Sequence, residues 1–216
     1  LAYNTYYTNY KYTQLRAHLK GRGLLGFTTV EANNSTTGEK RTTTVNSLNT
    51  TFYEPSKVTT TITKDGKTDV TETTLTAVSY MGKSHLTYPS IVKNTDIYNS
   101  VTTTTNEYYS IYYLTKQRTE YDNNANMYKQ VEYKEYKKVG GVYKPQTVVA
   151  TQKHKDDASA FTTKTTYTYD ANGNPTKMVE NAATVPVTHE YTYSGLGNML
   201  THKVSATGIT AVTTTL

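Results

Sequence analysis

Thr166-Tyr167-Thr168-Tyr169-Asp170-Ala171-Asn172-Gly173-Asn174 is followed further along by Tyr191-Thr192-Tyr193-Ser194-Gly195-Leu196-Gly197-Asn198. Tyr167, Tyr169, Gly173 and Asn174 return as Tyr191, Tyr193, Gly197 and Asn198. Each return comes after about 24 residues, and a constant interval of that size marks a stacked repeat array. Both copies read as an aromatic/threonine alternation, a Gly-Asn turn and a second strand. One hairpin of this kind cannot bury its own apolar face, so it must lie against neighbours. The expectation is a length of extended β-structure with no self-contained catalytic pocket.

The composition agrees. Of 216 residues, 22 are Tyr, against 3 Phe and no Trp. Threonine makes up about a fifth of the chain, and Thr and Tyr both favour a pleated, half-buried surface. Disordered chains are poor in these types and richer in Pro and Glu. A tyrosine ring brings a large apolar body and a hydroxyl that needs a partner, which suits a broad sheet with one damp face. The absence of Cys excludes disulfides, thiolate catalysis and thiolate-bound metals. No apolar run approaches the length of a membrane span. The net charge of +6 reads as solvated lysine that serves solubility. The densest group, Lys134, Lys137, Lys138 and Lys144, surrounds an expected turn. The chain opens Leu1-Ala2-Tyr3-Asn4-Thr5, without a start Met or a signal-like stretch, and closes on strand-like Ile209 to Leu216. It reads as a segment of something longer.

Outward from the repeat, nearly every segment reads strand, turn, strand. Phe27 to Ala32 and Lys40 to Val45 flank the polar loop Asn33 to Gly38. Val58 to Thr63 and Val70 to Leu75 flank Lys64-Asp65-Gly66-Lys67, where Asp-Gly between β-branched runs is a strong hairpin signal. Gln130 to Tyr136 and Val142-Tyr143 flank Gly140-Gly141. Only Tyr12 to Leu19 and Met127 to Val139 tempt a helix assignment. Gly21 and Gly23 cut the first short, and Val131/Tyr133 alternation favours strand in the second. The five prolines sit near expected strand ends or turns, where a missing donor does least harm. The chain is therefore expected to be all-β, a run of antiparallel hairpins in a sheet-stack, barrel or solenoid pattern.

Tyr167-Thr168-Tyr169-Asp170-Ala171-Asn172-Gly173-Asn174 resembles the YD repeat of the Rhs family, related to toxin-complex shell subunits and to teneurins. The second copy carries Ser194 where that repeat has Asp, and a Ser hydroxyl supports the same turn more weakly. Lys20-Gly21-Arg22-Gly23-Leu24-Leu25-Gly26-Phe27 is similar to a segment found upstream of such repeats, with Leu24 in place of Phe. Gly21, Arg22, Gly23, Gly26 and Phe27 carry that likeness, and Phe52-Tyr53-Glu54-Pro55 matches the aromatic-Pro step that follows it. Across 1–216 this divides the chain into the upstream region with hairpins (12–75), a β region without a named motif (76–160) and two YD-like repeats (161–205).

The resemblance implies a strip of hairpins wound into a hollow shell that encloses or presents a C-terminal toxin or effector domain, in a secreted or surface-exposed bacterial protein. The implied partners are the rest of its own polypeptide, an enclosed toxin domain or secretion machinery. Many relatives cut themselves at an Asp-Pro step, and none occurs here. No cofactor, metal or catalytic residue is expected.

Other motifs have plainer readings. Gly21-Arg22-Gly23-Leu24-Leu25-Gly26 fits the dinucleotide fingerprint, but a strand follows it instead of the helix that pyrophosphate requires. Counting twelve positions from Asp170 or Asp122 reaches Asn181 or Tyr133, so neither loop ends in the acid that calcium needs. His18, His85, His154, His189 and His202 have no zinc-type spacing, and there is no nucleophile elbow. Asp156-Asp157 caps a loop more readily than it forms a carboxylate pair across a cleft. The alternation of Tyr and Lys from Tyr128 to Tyr143 is better explained by cross-strand packing than by nucleic-acid stacking. The sequons Asn34-Ser35-Thr36 and Asn49-Thr50-Thr51 place those loops toward solvent. The alternative function is a cell-surface adhesin or glycan-binding module that uses exposed rings such as Tyr112 or Tyr113.

Overall fold

The computed structural model describes residues 7–19, 23–80, 84–109, 113–182 and 185–216. The strands are β1 (Thr8–His18), β2 (Gly23–Asn34), β3 (Lys40–Leu48), β4 (Pro55–Lys64) and β5 (Lys67–Tyr80). Then come β6 (Ser84–Thr95), β7 (Val101–Tyr109), β8 (Tyr113–Tyr121), β9 (Asn124–Val139) and β10 (Val142–Lys153). Last are β11 (Phe161–Tyr169), β12 (Pro175–Ala182), β13 (Val185–Tyr193), β14 (Met199–Ala206) and β15 (Ile209–Thr215). The chain is all-β, and strand order in its antiparallel sheet is chain order. Both helix-tempting windows are strand, in β1 and β9. Rows of Tyr and Thr pack across neighbouring strands there, and that outweighs the helical propensity of the interspersed Lys and Glu.

The hairpin turns form where the sequence has turn chemistry. Asp65 and Gly66 have φ of +50° and +74°, and Gly140 and Gly141 have +55° and +80°. These two-residue turns match the right-handed twist of their strands. Asp122 and Asn123 take the same conformation, at +52° and +55°, so this polar stretch is a tight turn between β8 and β9. Asp157 accepts the His154 backbone N–H at 2.9 Å, the loop-capping role expected for the Asp pair.

The chain divides into two compact units, residues 1–106 with 120–123, and residues 107–119 with 124–216. In the first, one face carries the rung Val45–Val58–Thr73–Val92–Thr104, flanked by Tyr10, Tyr12, Val30 and Ile62. The other face is threonine, with Thr29 bonded to Thr44 at 3.4 Å and ion pairs Lys40–Glu31 at 3.2 Å and Lys57–Glu72 at 3.3 Å. In the second unit, Tyr133–Val148–Thr165–Glu180–Val187–Ala206 and Tyr167–Met178–His189–Val204–Val212 run across one face. Its other face holds Thr147, Thr166 and Thr188, with the pairs Lys134–Glu132 at 2.6 Å and Lys203–Glu190 at 3.1 Å. In the second unit the period-2 alternation of the sequence thus separates an aromatic-aliphatic face from a threonine face; in the first, Thr43, Thr60, Thr71 and Thr102 share the face of Val45 and Val58.

Among the described residues no apolar side chain is buried; Thr147 and Gly173 alone fall in the buried class. Cohesion comes from the backbone ladder, from Thr–Thr pairs and from ring contacts between strands, each pair contributing roughly 0.2–1 kcal/mol.

Candidate functional site

The repeat corners are the most built feature of the second unit. At the first, the Asp170 carboxylate accepts the backbone N–H of Asn172 at 2.9 Å and of Asn174 at 2.8 Å. It also accepts the Asn174 side-chain amide at 3.0 Å. Those donors, the Asn174 amide foremost, hold its pKa below the usual carboxylate value. Gly173 completes the turn at φ +88°, a region that side-chain-bearing residues rarely enter. At the second corner, among the described residues, Ser194 Oγ accepts only the Asn198 N–H, at 3.1 Å. The backbone bond pairs are nevertheless the same: Asp170–Asn174 and Gly173–Asp170 in one, Ser194–Asn198 and Gly197–Ser194 in the other. One hydrogen bond in place of three is the physical content of the Asp-to-Ser difference.

Each corner is fastened to the preceding hairpin by its second tyrosine. Tyr169 Oη donates to the Pro145 carbonyl at 2.8 Å, and Tyr193 Oη donates to the Pro175 carbonyl at 3.0 Å. Both prolines lie near the start of the strand before. Tyr136 Oη donates to the Leu114 carbonyl in the same manner. It belongs to a third corner, Gly140-Gly141, which the sequence shows only as a hairpin turn. The corners also touch: Lys144 Nζ donates to the Gly173 carbonyl at 2.6 Å, and Gly140 lies against the Asn172 backbone. Two lysines of the basic group thus have structural partners, Lys144 here and Lys134 with Glu132.

Tyrosine rings form a ladder beside these corners. Tyr113 lies 4.0 Å from Tyr136, 5.3 Å from Tyr109 and 5.4 Å from Tyr143, centroid to centroid. Tyr113 is therefore half-buried among rings and is not the exposed contact expected of it; Tyr112 lies outside the described residues. Tyr167 stacks on Tyr169 at 6.1 Å, and Tyr191 stacks on His202 at 4.8 Å. His202 Nε2 meets His189 Nδ1 at 2.9 Å. Burial within the ladder, then repulsion from neighbouring phenols or carboxylates, raises the pKa of Tyr136, Tyr167, Tyr169, Tyr191 and Tyr193.

In the first unit, Gly21 and Arg22 of the upstream motif lie outside the described residues. Gly23 opens β2 opposite His18, Gly26 faces Arg16, and Phe27 contacts the Tyr12 ring at 4.8 Å. Phe52 stacks on His85 at 4.1 Å, and Tyr53 contacts His18 at 4.1 Å. Glu54 pairs with His85 Nε2 at 2.8 Å and accepts the Thr87 hydroxyl at 2.7 Å. The aromatic-Pro step is thus a clasp between loop and strand, with the His85–Glu54 pair as its polar centre. The sequon residues Asn34 and Asn49 are half-buried, and both use their side-chain oxygens to close their own turns. Among the described residues no three His, Asp or Glu side chains are grouped to hold a metal ion. No helix among them is long and apolar enough to cross a membrane. No protein-family model matches the chain, and no curated protein matches it.

Proposed function

We propose that the chain is a wall segment of an Rhs-type β-shell, non-catalytic in itself, that encloses or presents a toxin or effector domain in a secreted or surface-exposed protein. The observation that carries this reading is a two-faced sheet without a buried apolar side chain among the described residues, whose tyrosine corners are each hooked to the hairpin before. Such a sheet leaves its aromatic face in need of cover. A longer strip that closes on itself supplies that cover, and polar Thr/Lys rows suit the opposite, wetted surface. The test is the intact mass of the native polypeptide. A mass far above 24.2 kDa, with further hairpins beyond these, is the expected result. A native chain of 24.2 kDa that is monomeric and unfolds cooperatively would remove the proposal.

The exposure of Tyr10, Tyr12 and Phe27, at 60%, 53% and 38%, favours one second reading, a glycan-binding surface. Rings stack on sugar faces while Thr and Asn bond the hydroxyls. Glycan-array binding that is lost in Tyr10→Ala and Tyr12→Ala would establish it, and an unbound array would end it.

A further inference from the structure

We infer that Tyr113 and Tyr136 form a built-in oxidative cross-linking site, at which a one-electron oxidant joins β8 to β9 through a carbon–carbon bond between the two rings. The geometry carries this. The ring centroids are 4.0 Å apart at an interplanar angle of 26°, so ring carbons already touch at van der Waals distance. The rings sit on different strands, with a 22-residue stretch between them. Tyr109 and Tyr143 border the pair at 5.3 and 5.4 Å from Tyr113 and are 62% and 45% exposed. They give an oxidant in solution a route to the pair.

Composition directs oxidation to the same place. The chain has neither Cys nor Trp, so tyrosine is its ready one-electron donor. Its four methionines react instead by taking up oxygen. Each phenol loses one electron and one proton, giving two phenoxyl radicals. The radicals couple at ring carbons ortho to the oxygens, and the two hydrogens on those carbons move to the oxygens and restore both phenols. With a haem peroxidase as oxidant, one hydrogen peroxide is reduced to two waters per link. The product is two hydrogens lighter than the parent. A free phenoxyl must find its partner by diffusion, whereas here the second ring is already in place, so coupling within the chain outruns coupling between chains. In a chain without cysteine, coupled tyrosines offer a covalent tie between strands. The inference does not depend on the shell reading.

The experiment treats the full chain at low concentration with a haem peroxidase and hydrogen peroxide. Products are followed by dityrosine fluorescence, intact mass and tryptic mapping. The expected product is a monomer lighter by two hydrogens, in which the peptide spanning 94–116 is joined to Glu135-Tyr136-Lys137. Tyr113→Phe removes that joined peptide, whereas Tyr98→Phe, an exposed ring on the same peptide, leaves it intact. Links scattered over other tyrosines, links only between chains, or an unlinked product from the unaltered chain would each overturn the inference. Because the unaltered chain decides the outcome, a variant that fails to fold does not obscure it.

Discussion

The carbonyl oxygen of Asn172 lies 2.5 Å from the point where a Cβ on Gly140 would stand. Two turns separated by a whole hairpin thus meet backbone to backbone, and only a residue without a side chain fits between them. Gly140 also has φ +55°, but that angle alone is a mild demand. The neighbour is what makes the position strict, because a carbonyl oxygen in a turn cannot swing away as a lysine tip can.

Gly140→Ala is therefore expected to destabilise the sheet by about 2–4 kcal/mol, from overpacking plus left-handed strain. Gly197→Ala is the comparison, since nothing lies within 4 Å of a Cβ there. It loses only the conformational term, about 1 kcal/mol. Urea denaturation followed by far-ultraviolet circular dichroism measures both. Equal midpoints for the two variants would contradict the stacking of corners.

Gly173→Val places a β-branched side chain at φ +88°, where such residues are outliers. A loss of roughly 2–3 kcal/mol follows from backbone strain, together with pressure on Lys144, whose Nζ lies 3.4 Å from the added Cβ. A variant as soluble and heat-resistant as the parent would refute the turn assignment.

Tyr169→Phe and Tyr193→Phe keep the ring and delete the hydroxyl that reaches Pro145 or Pro175. Each is expected to lower stability by about 0.5–1.5 kcal/mol, the net value of one hydrogen bond. Thermal melts of the single variants test this. If the melting temperature is unchanged in both, the hooks contribute nothing.

Ser194→Asp should make the second corner like the first. A carboxylate there gains the N–H and amide donors that Asp170 has, and stability rises by roughly 0.5–1.5 kcal/mol at neutral pH. The gain has a predictable pH dependence. Asp170 shows that the folded corner depresses the carboxyl pKa, so the native state binds the proton less tightly than the unfolded chain does. The stabilisation is present above the ordinary Asp value of about 4 and disappears as pH falls through the depressed one. Melts of parent and variant at neutral pH and in acid should differ only at neutral pH.

The tyrosine ladder gives the opposite dependence. Tyr136, Tyr167, Tyr169, Tyr191 and Tyr193 have raised pKa values, so the folded state keeps phenolic protons that the unfolded chain gives up. Stability is complete below about pH 10 and falls as pH rises through the folded values. Absorbance at the tyrosinate band should lag behind that of free tyrosine and then rise together with loss of the sheet. Ionisation that follows free tyrosine, with the sheet intact, would show the rings to be solvated.

The all-β class and the hairpins at Asp65-Gly66, Gly140-Gly141, Asn172-Gly173 and Leu196-Gly197 were legible in the order of residues, because alternation and turn chemistry act over a few neighbours. The Asp-to-Ser weakening of the second corner was legible for the same reason. The third tyrosine hook was not. Glu135 takes φ +55° inside β9, and Tyr133 and Tyr136 stand three apart in the sequence, so the Tyr-x-Tyr spacing seen at Tyr167 and Tyr191 does not appear there. Strand alignment then decided which residues met: Tyr113 with Tyr136, Gly140 with Asn172, His189 with His202. Those pairings join residues far apart in the chain, and their partners are chosen by how whole strands align, which no local pattern encodes.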